Sequence, residues 1–437
     1  MSSDNEQVKL VRAVGFGGLI AMCINAVVGS GVFLLPSESY KLLGPFSLWA
    51  PLLFAIPVFI LVLNFAEAAS HFSEPGGAYL YARTAFGDFI GFETGWMNWI
   101  ARVTSLASLS NGFVLSLAFL WPSLGQGSAR ISIIIGTLLI LGAIHFVGVK
   151  YGAASIYVFT WGKLIPLVGF IGVSLFAFKH NPIPAAMTLP GANTGWNEAA
   201  LFMLFAYAGF ENMGVPAGEY RNPKRDLPRA LLAGTLAIAA IYVLTQLGAM
   251  ATVPDLSRSA TPIADAAKAL IGPLGAWIVT IGALLSMAGT NSGTVLEGSR
   301  MLYALSLDRR MGPIRYVHPT FRTPSVAIVI HVGLAMVLAV QGSFAKLALM
   351  SAVARLTTYL FSCAAVPFLR PREERWRPAR LILPILGVTA SLLICISLTK
   401  EKLLAGALAM LAGVLVYALS ARSLLFQKHE RTTDGRA

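Results

Sequence analysis

Charge is what this sequence has least of: 12% of its 437 residues are Asp, Glu, Lys or Arg, where an ordinary soluble domain carries roughly a quarter. Cysteine is scarce too. Cys23, Cys363 and Cys395 sit in apolar segments at unrelated spacings, the pattern of buried thiols rather than of a disulfide framework or a metal site. There is no Cys/His cluster with zinc spacing, no GxxxxGK(S/T) phosphate loop and no HExxH, which counts against a metalloenzyme or an ATP-driven pump. No nucleophile with a base and no paired-carboxylate constellation stands out, so an enzyme is not expected and no cofactor or metal is implied. Low-complexity tracts and a soluble domain are also missing. The first apolar run is too long for a signal peptide and is not followed by a small-residue cleavage site.

What remains is apolar. Hydrophobic residues make up 56% of the chain, the mean hydropathy is +0.71, and runs of about 20 apolar residues recur, each long enough to cross a hydrocarbon core of about 30 Å. Alternation over about ten residues, the mark of a membrane barrel, is not seen. The expected fold class is an all-α polytopic membrane protein of 12 transmembrane helices, near 13–36, 45–66, 87–120, 129–147, 150–178, 197–218, 228–251, 272–303, 324–341, 344–367, 379–398 and 401–424. The third and eighth runs exceed one bilayer crossing, so strong tilt or extension into water is expected of them.

Of the 33 lysines and arginines, four fall inside candidate helices; with both termini on one side, 21 of the others lie on that side and 8 on the opposite one. The positive-inside rule then places both termini in the cytoplasm, in a cell (inner or plasma) membrane. The net charge of +13 is thereby explained without a nucleic-acid partner, because the basic residues are spread over several short loops. Residues 1–12 read as a cytoplasmic N-terminus, 13–178 and 197–367 as two five-helix halves, 379–424 as two further helices, and 425–437 as a polar, disordered cytoplasmic tail. The Pro-, Gly- and Asn-rich stretch "KHNPIPAAMTLPGANTGW" reads as an external connector.

Two spans break the rules for a membrane helix. The first, "AVVGSGVFLLP", places Gly29-Ser30-Gly31 inside an apolar run that ends at Pro36. The sixth, "LFAYAGFENMGVPAGEY", carries Gly209 and Gly214, with Pro216 near its end. Four helices separate them, which fits the first members of two five-helix repeats. Unwound backbone at that depth is tolerable only where it lines a cavity; the other reading is close helix packing through small residues.

Arg102, Lys163, Arg300 and Arg355 fall within helices, Arg300 close enough to an end to snorkel, and Glu211 and Glu297 lie at similar depth. Such residues cost several kcal/mol to insert and mark a pathway or a structural ion pair. Lys163, in "TWGKLIPLVGF", is a candidate proton carrier, since a buried amine can exchange its proton during a transport cycle. Its ammonium could equally stand in for a sodium ion between neighbouring helices.

Four stretches taken together, "GSGVF" in helix 1, "PGGAYLYARTAFG" after helix 2, "FAYAGFEN" in helix 6 and "NPKRDLPRAL" in the following loop, resemble the amino acid–polyamine–organocation superfamily of secondary transporters. Order and spacing match over nearly the whole chain. The resemblance implies a LeuT-like fold of two inverted five-helix repeats plus two helices, with helices 1 and 6 broken and alternating access around a central site. It implies that an amino acid's carboxylate binds at Ser30 and Gly31, and its amine at carbonyls of Val27, Val28, Phe205, Ala206 and Ala208. Phe205 takes the place of a tryptophan lid found in the arginine/agmatine antiporter. Lys163 matches a lysine of proton-coupled, sodium-independent members whose amine reaches the helix 1 break and a helix 8 hydroxyl, for which Gly29 and Ser286 are the local counterparts.

Departures from that antiporter bear on the substrate. Arg102 stands where it has a small residue and Gly293 where it has a tryptophan, while Glu211 and Tyr359 match gate residues and Arg355 lies one turn before Tyr359. Like charges about 4 Å apart repel by about 4 kcal/mol at an effective dielectric of about 20, roughly a thousandfold in affinity, so arginine and agmatine are poor substrates for a site containing Arg102. Two arginines around Glu211 leave one positive charge in excess, which could bind an acidic side chain. Alternatively, Arg102, Glu211 and Arg355 form a gate network, leaving a neutral or small pocket lined by Ser105, Gly293 and Ser351. The expected function is secondary active amino acid transport, proton-coupled and sodium-independent, with amino acid/amine exchange as the alternative and a non-transporting sensor as a remote one. Partners are the amino acid, protons and the lipid bilayer, the chain being a monomer or homodimer.

Overall fold

The computed structural model describes residues 14–72, 76–148, 152–178, 195–214, 220–309 and 311–434. The N-terminal segment 1–12, nearly all of the connector before helix 6, Pro75 and Pro216 lie outside the described residues. Within them the chain is helical, with no strand and one isolated bridge between Val14 and Tyr220. The helices are α1 (Phe16–Val27), α2 (Gly31–Leu43), α3 (Ala50–Ser70), α4 (Gly77–Phe86), α5 (Asp88–Leu120), α6 (Gly127–Val147), α7 (Gly152–Phe178), α8 (Trp196–Tyr207), α9 (Pro223–Thr252), α10 (Pro262–Arg309), α11 (Ser325–Gln341), α12 (Phe344–Leu369), α13 (Pro378–Ile396) and α14 (Lys400–Asp434). Nine are long and apolar enough to cross a membrane, and α1 with Gly31–Leu48 makes a tenth span bent by 47°. At 12 and 17 residues, α8 and α11 are shorter than a straight crossing needs.

Both suspect spans are broken. Val28 turns extended (φ −75°, ψ 90°) and α2 restarts at Gly31. After α8, Ala208 is extended and Gly209 takes φ 131°, a conformation that L side chains rarely adopt, before a 3₁₀ turn at Phe210–Asn212. A Cβ on Gly209 would lie 2.5 Å from the Ala26 carbonyl oxygen, and one on Gly31 would lie 3.0 Å from Ala206 Cα. The glycines therefore let the two breaks press backbone against backbone.

Several boundaries depart from the sequence reading. Pro36 does not end its helix: α2 runs on to Leu43, and Gln246 Nε2 on α9 donates to the Pro36 carbonyl at 3.4 Å, which ties the two helices together at this level. Helix α10 adds a short segment from Pro262 ahead of the expected eighth span, whose start near 272 falls at the kink marked by non-helical Ile271 and Gly272. Its first segment lies against α2 and α5, where Thr261 and Ala264 share a small cavity with Phe33, Leu34 and Ser116. The tail expected to be disordered is helical through Asp434, no proline interrupting Lys400–Asp434.

The short helix α4 was not anticipated. It packs on α5 so closely that a Cβ on Gly91 would lie 2.6 Å from Arg83 Cβ. Arg83 pairs with Asp88 at 2.8 Å and with Asp308 on α10 at 2.9 Å, and Tyr79 bonds Asp308 as well. At the other end of the molecule, Glu198 of α8 pairs with Lys402 of α14 at 2.5 Å.

Two large apolar clusters and a small third one run through the described residues, with α5, α10 and α12 contributing to both large ones. One gathers α1, α2, α3, α8 and α9 around residues such as Leu19, Val62, Phe202 and Ile238. The other gathers α5, α6, α10 and α11 around Leu106, Ile134, Val295 and Ile328. Large apolar side chains on the outer helices, among them Ile165, Ile385, Ile396 and Leu408, remain exposed, the arrangement a hydrocarbon solvent calls for rather than water.

Candidate functional site

The site is built where the two breaks meet. Ending α1 at Val27 leaves its last carbonyls without intrahelical donors, and starting α2 at Gly31 leaves its first amides without acceptors. On the carbonyl side sits Lys163 of α7, fully buried. Its Nζ donates to the carbonyls of Val28 (2.6 Å) and Asn25 (3.1 Å) and lies 3.4 Å from Thr290 Oγ1 on α10. Pro166, one turn on, fits against Gly282 of α10, where an added Cβ would lie 2.7 Å from the ring. That close approach brings Lys163 to the break. Ser286 Oγ on the same face of α10 lies 3.0 Å from both the Val28 and the Gly29 carbonyls, so the Val28 oxygen accepts from two side chains.

On the amide side, the N–H groups of Gly29, Ser30, Gly31 and Val32 have no backbone acceptor among the described residues. Ser30 is fully buried and its Oγ has no partner. Orphan amides at a half-helix N-terminus favour an anion through both hydrogen bonding and the helix dipole.

Tyr242 of α9 joins the breaks from behind. Its hydroxyl donates to the Ala206 carbonyl at 2.6 Å and lies 3.5 Å from the Val27 carbonyl. The backbone at Ala208 is extended, its amide returning to the Phe205 carbonyl at 3.3 Å. Phe205 is buried and meets Phe344 of α12 edge-on at 6.2 Å between centroids, closing that side over the break.

A chain of alternating charges closes the other side. Arg355 Nε donates to Glu211 Oε1 at 2.9 Å, Tyr359 Oη to Glu211 Oε2 at 3.3 Å, and the Gly209 amide to Glu211 Oε2 at 2.8 Å. Arg355 also bonds Ser351, whose hydroxyl donates to the Ala101 carbonyl at 2.8 Å. Arg102 Nη2 lies 3.8 Å from Glu211, while Arg102 Nη1 donates to Glu297 Oε2 at 2.5 Å. The ring of Phe210 stacks on Tyr359 at 5.5 Å. Buried charges are tolerated when paired and hydrogen-bonded in this way.

The structure therefore gathers the residues singled out in the sequence into two adjoining groups: Lys163, Ser286 and Gly29 at the helix 1 carbonyls, and Arg102, Glu211, Ser351, Arg355 and Tyr359 beneath the helix 6 break. Ser105 is buried on α5 one turn from Arg102. Gly293 faces open space, with nothing within 4 Å of an added Cβ. Glu297, singled out in the sequence by its depth, joins the second group through Arg102. Two contributors lay outside the sequence reading of the site, since Tyr242 and Thr290 look like ordinary residues of an apolar helix. Among the described residues no three His, Cys, Asp or Glu side chains come together as a metal site, and the three cysteines are free thiols.

Known proteins place this geometry in context. The serine/threonine exchanger SteT of Bacillus subtilis is 29% identical over 424 residues, covering 93% of this chain and 95% of the relative. Uncharacterized transporters of Mycobacterium bovis and Mycobacterium tuberculosis are each 23% identical over 431 residues, 98% of this chain and 95% of theirs. Residues 18–424 match the family model described as amino acid permease. A polytopic helical chain with two broken helices, an orphan-amide pocket and a match over nearly its full length belongs to the amino acid permease family.

Proposed function

We propose that this amino acid transporter works as a proton-coupled, sodium-independent secondary transporter, by alternating access in an inner or plasma membrane with both termini cytoplasmic. The observation that carries the reading is Lys163, an ammonium held by the carbonyl end of a broken helix whose amide end, one turn away, is unsatisfied. In this reading the twelve hydrophobic segments form two inverted five-helix repeats and two further helices. The substrate carboxylate accepts from Ser30 and Gly31, and its amine donates to the carbonyls of Val27, Phe205, Ala206 and Ala208. The Val28 oxygen, already shared by Lys163 and Ser286, serves coupling instead. Phe205 covers the substrate, its side chain points towards Gly293, Ser105 and Ser351, and Glu211, Arg355 and Tyr359 close the cytoplasmic path.

Coupling follows from donor count. An ammonium has three N–H donors and finds three acceptors here; a neutral amine has two donors and a lone pair. Losing the proton therefore strips the charge assistance from the bonds that hold α7 to the helix 1 carbonyls, and that weakening is the event that would free the first span to move. A second reading, amino acid exchange, is favoured by the similarity to an exchanger. Uptake of labelled amino acids into proteoliposomes, with and without an imposed pH gradient and with and without internal amino acid, separates the two. Gradient-driven uptake into empty vesicles supports proton coupling; uptake only into preloaded vesicles supports exchange.

A further inference from the structure

We infer that Glu297 is the specificity-determining residue of this site: by neutralising Arg102 it makes the floor of the side-chain pocket uncharged and restricts the substrate to amino acids with short, neutral side chains. The inference rests on the transporter reading above and concerns which substrate that site takes.

Ser286, Thr290, Gly293 and Glu297 follow at intervals of four, three and four, the spacing of one helix stripe. The first two touch the helix 1 break and its lysine. Gly293 opens on empty space, and Glu297 ends the stripe at Arg102. From Thr290 to Glu297 the helix rises about 10 Å at about 1.5 Å per residue, which sets the depth available to a side chain between the backbone-binding break and the neutralised Arg102–Glu297 pair.

Charge then decides what enters. Glu211 alone between Arg102 and Arg355 would leave one positive charge uncompensated, a site for an acidic side chain. With Glu297 in place the four side chains cancel. Their exposure separates their roles: Glu211, Arg355 and Arg102 side chains are 0%, 4% and 7% exposed, whereas that of Glu297 is 29% exposed. Glu297 is the member of the chain that meets open space, so an incoming anion meets a carboxylate first. A cationic side chain meets the same carboxylate, whose charge the paired Arg102 already cancels. Arg102 keeps two nitrogens, Nε and Nη2, without hydrogen-bond acceptors, so removing Glu297 exposes a guanidinium with unfilled donors.

The test is competition against uptake of labelled serine or alanine in proteoliposomes. In the wild-type protein glutamate, aspartate, lysine and arginine are expected to compete at least about a hundredfold more weakly than small neutral amino acids. The Glu297→Gln variant is expected to gain at least about tenfold in apparent affinity for glutamate or aspartate, and the Arg102→Gln/Glu297→Gln double variant to lose that gain. Competition by glutamate in the wild type, or a Glu297→Gln protein that still takes up serine or alanine without any gain for acids, overturns the inference. Should Glu297→Gln fail to insert, the wild-type panel decides alone. Absence of flux or binding of every amino acid by the wild type defeats the transporter reading itself and is distinct from either result.

Discussion

Lys163 ties three elements together through one nitrogen, since Asn25 and Val28 belong to the helix 1 break and Thr290 to α10. Replacing it with alanine removes hydrogen bonds from a charged group, each worth about 1.5–3 kcal/mol. We expect Lys163→Ala to lower uptake by about tenfold or more and to abolish its response to an imposed pH gradient. Transport equal to wild type at every pH would contradict the proton-carrier role. Glu211 carries a different burden. Changing it to Gln leaves Arg355 buried with one fewer counter-charge, a loss of about 3–5 kcal/mol; a lowered Tm in detergent together with faster labelling of a cysteine placed below the gate is the expected outcome. Tyr242→Phe removes a neutral hydrogen bond worth about 1 kcal/mol, so KM for the amino acid should rise about fivefold with folding intact, as read by uptake kinetics. At this scale the sequence was legible where an ionisable residue interrupts an apolar run, as with Lys163, Arg102 and Glu211. It was silent on Tyr242, because a tyrosine in an apolar helix is usually core and only the folded structure puts its hydroxyl on Ala206.

Helix breaks were legible for the same physical reason: Gly29-Ser30-Gly31 and Gly209 weaken a helix in surroundings where weakness must be compensated. The structure adds that Gly209 is required sterically and not merely permitted. A side chain there faces φ 131° and the Ala26 oxygen, so Gly209→Ala should separate the two breaks and abolish uptake, whereas Gly293→Ala meets nothing within 4 Å and should insert normally. A larger change at the same place, Gly293→Leu, should insert as well but exclude all but the smallest substrates, narrowing the competition profile. What stayed illegible were elements defined by packing rather than by hydrophobic length. Helix α4 is short and amphipathic, set by Gly87 (φ 87°) and by Arg83 and Tyr79 reaching Asp308 on α10, far away in sequence. The segment 262–270 ahead of the kink at Ile271-Gly272 is short and bounded by Pro262 and Gly272-Pro273, so hydropathy alone reads it as a loop.

For the whole molecule, hydropathy and the distribution of basic residues carry most of what can be read without a structure: a polytopic membrane protein with its basic loops on one side. The division into two apolar cores, one around the broken helices and one around α5, α10 and α11, appears only on folding, because it depends on which faces of equally apolar helices meet. The two breaks lie inside the first of these cores, with Val28, Ala206, Phe210 and Tyr359 among its members. The measurement that tests this account most directly is uptake of a panel of labelled amino acids by purified protein in proteoliposomes, with and without an inward proton gradient. The account predicts saturable uptake of a small neutral amino acid, accelerated by the gradient in the wild type and indifferent to it in Lys163→Ala. Thermal stabilisation by an amino acid with no flux of any of them would contradict it.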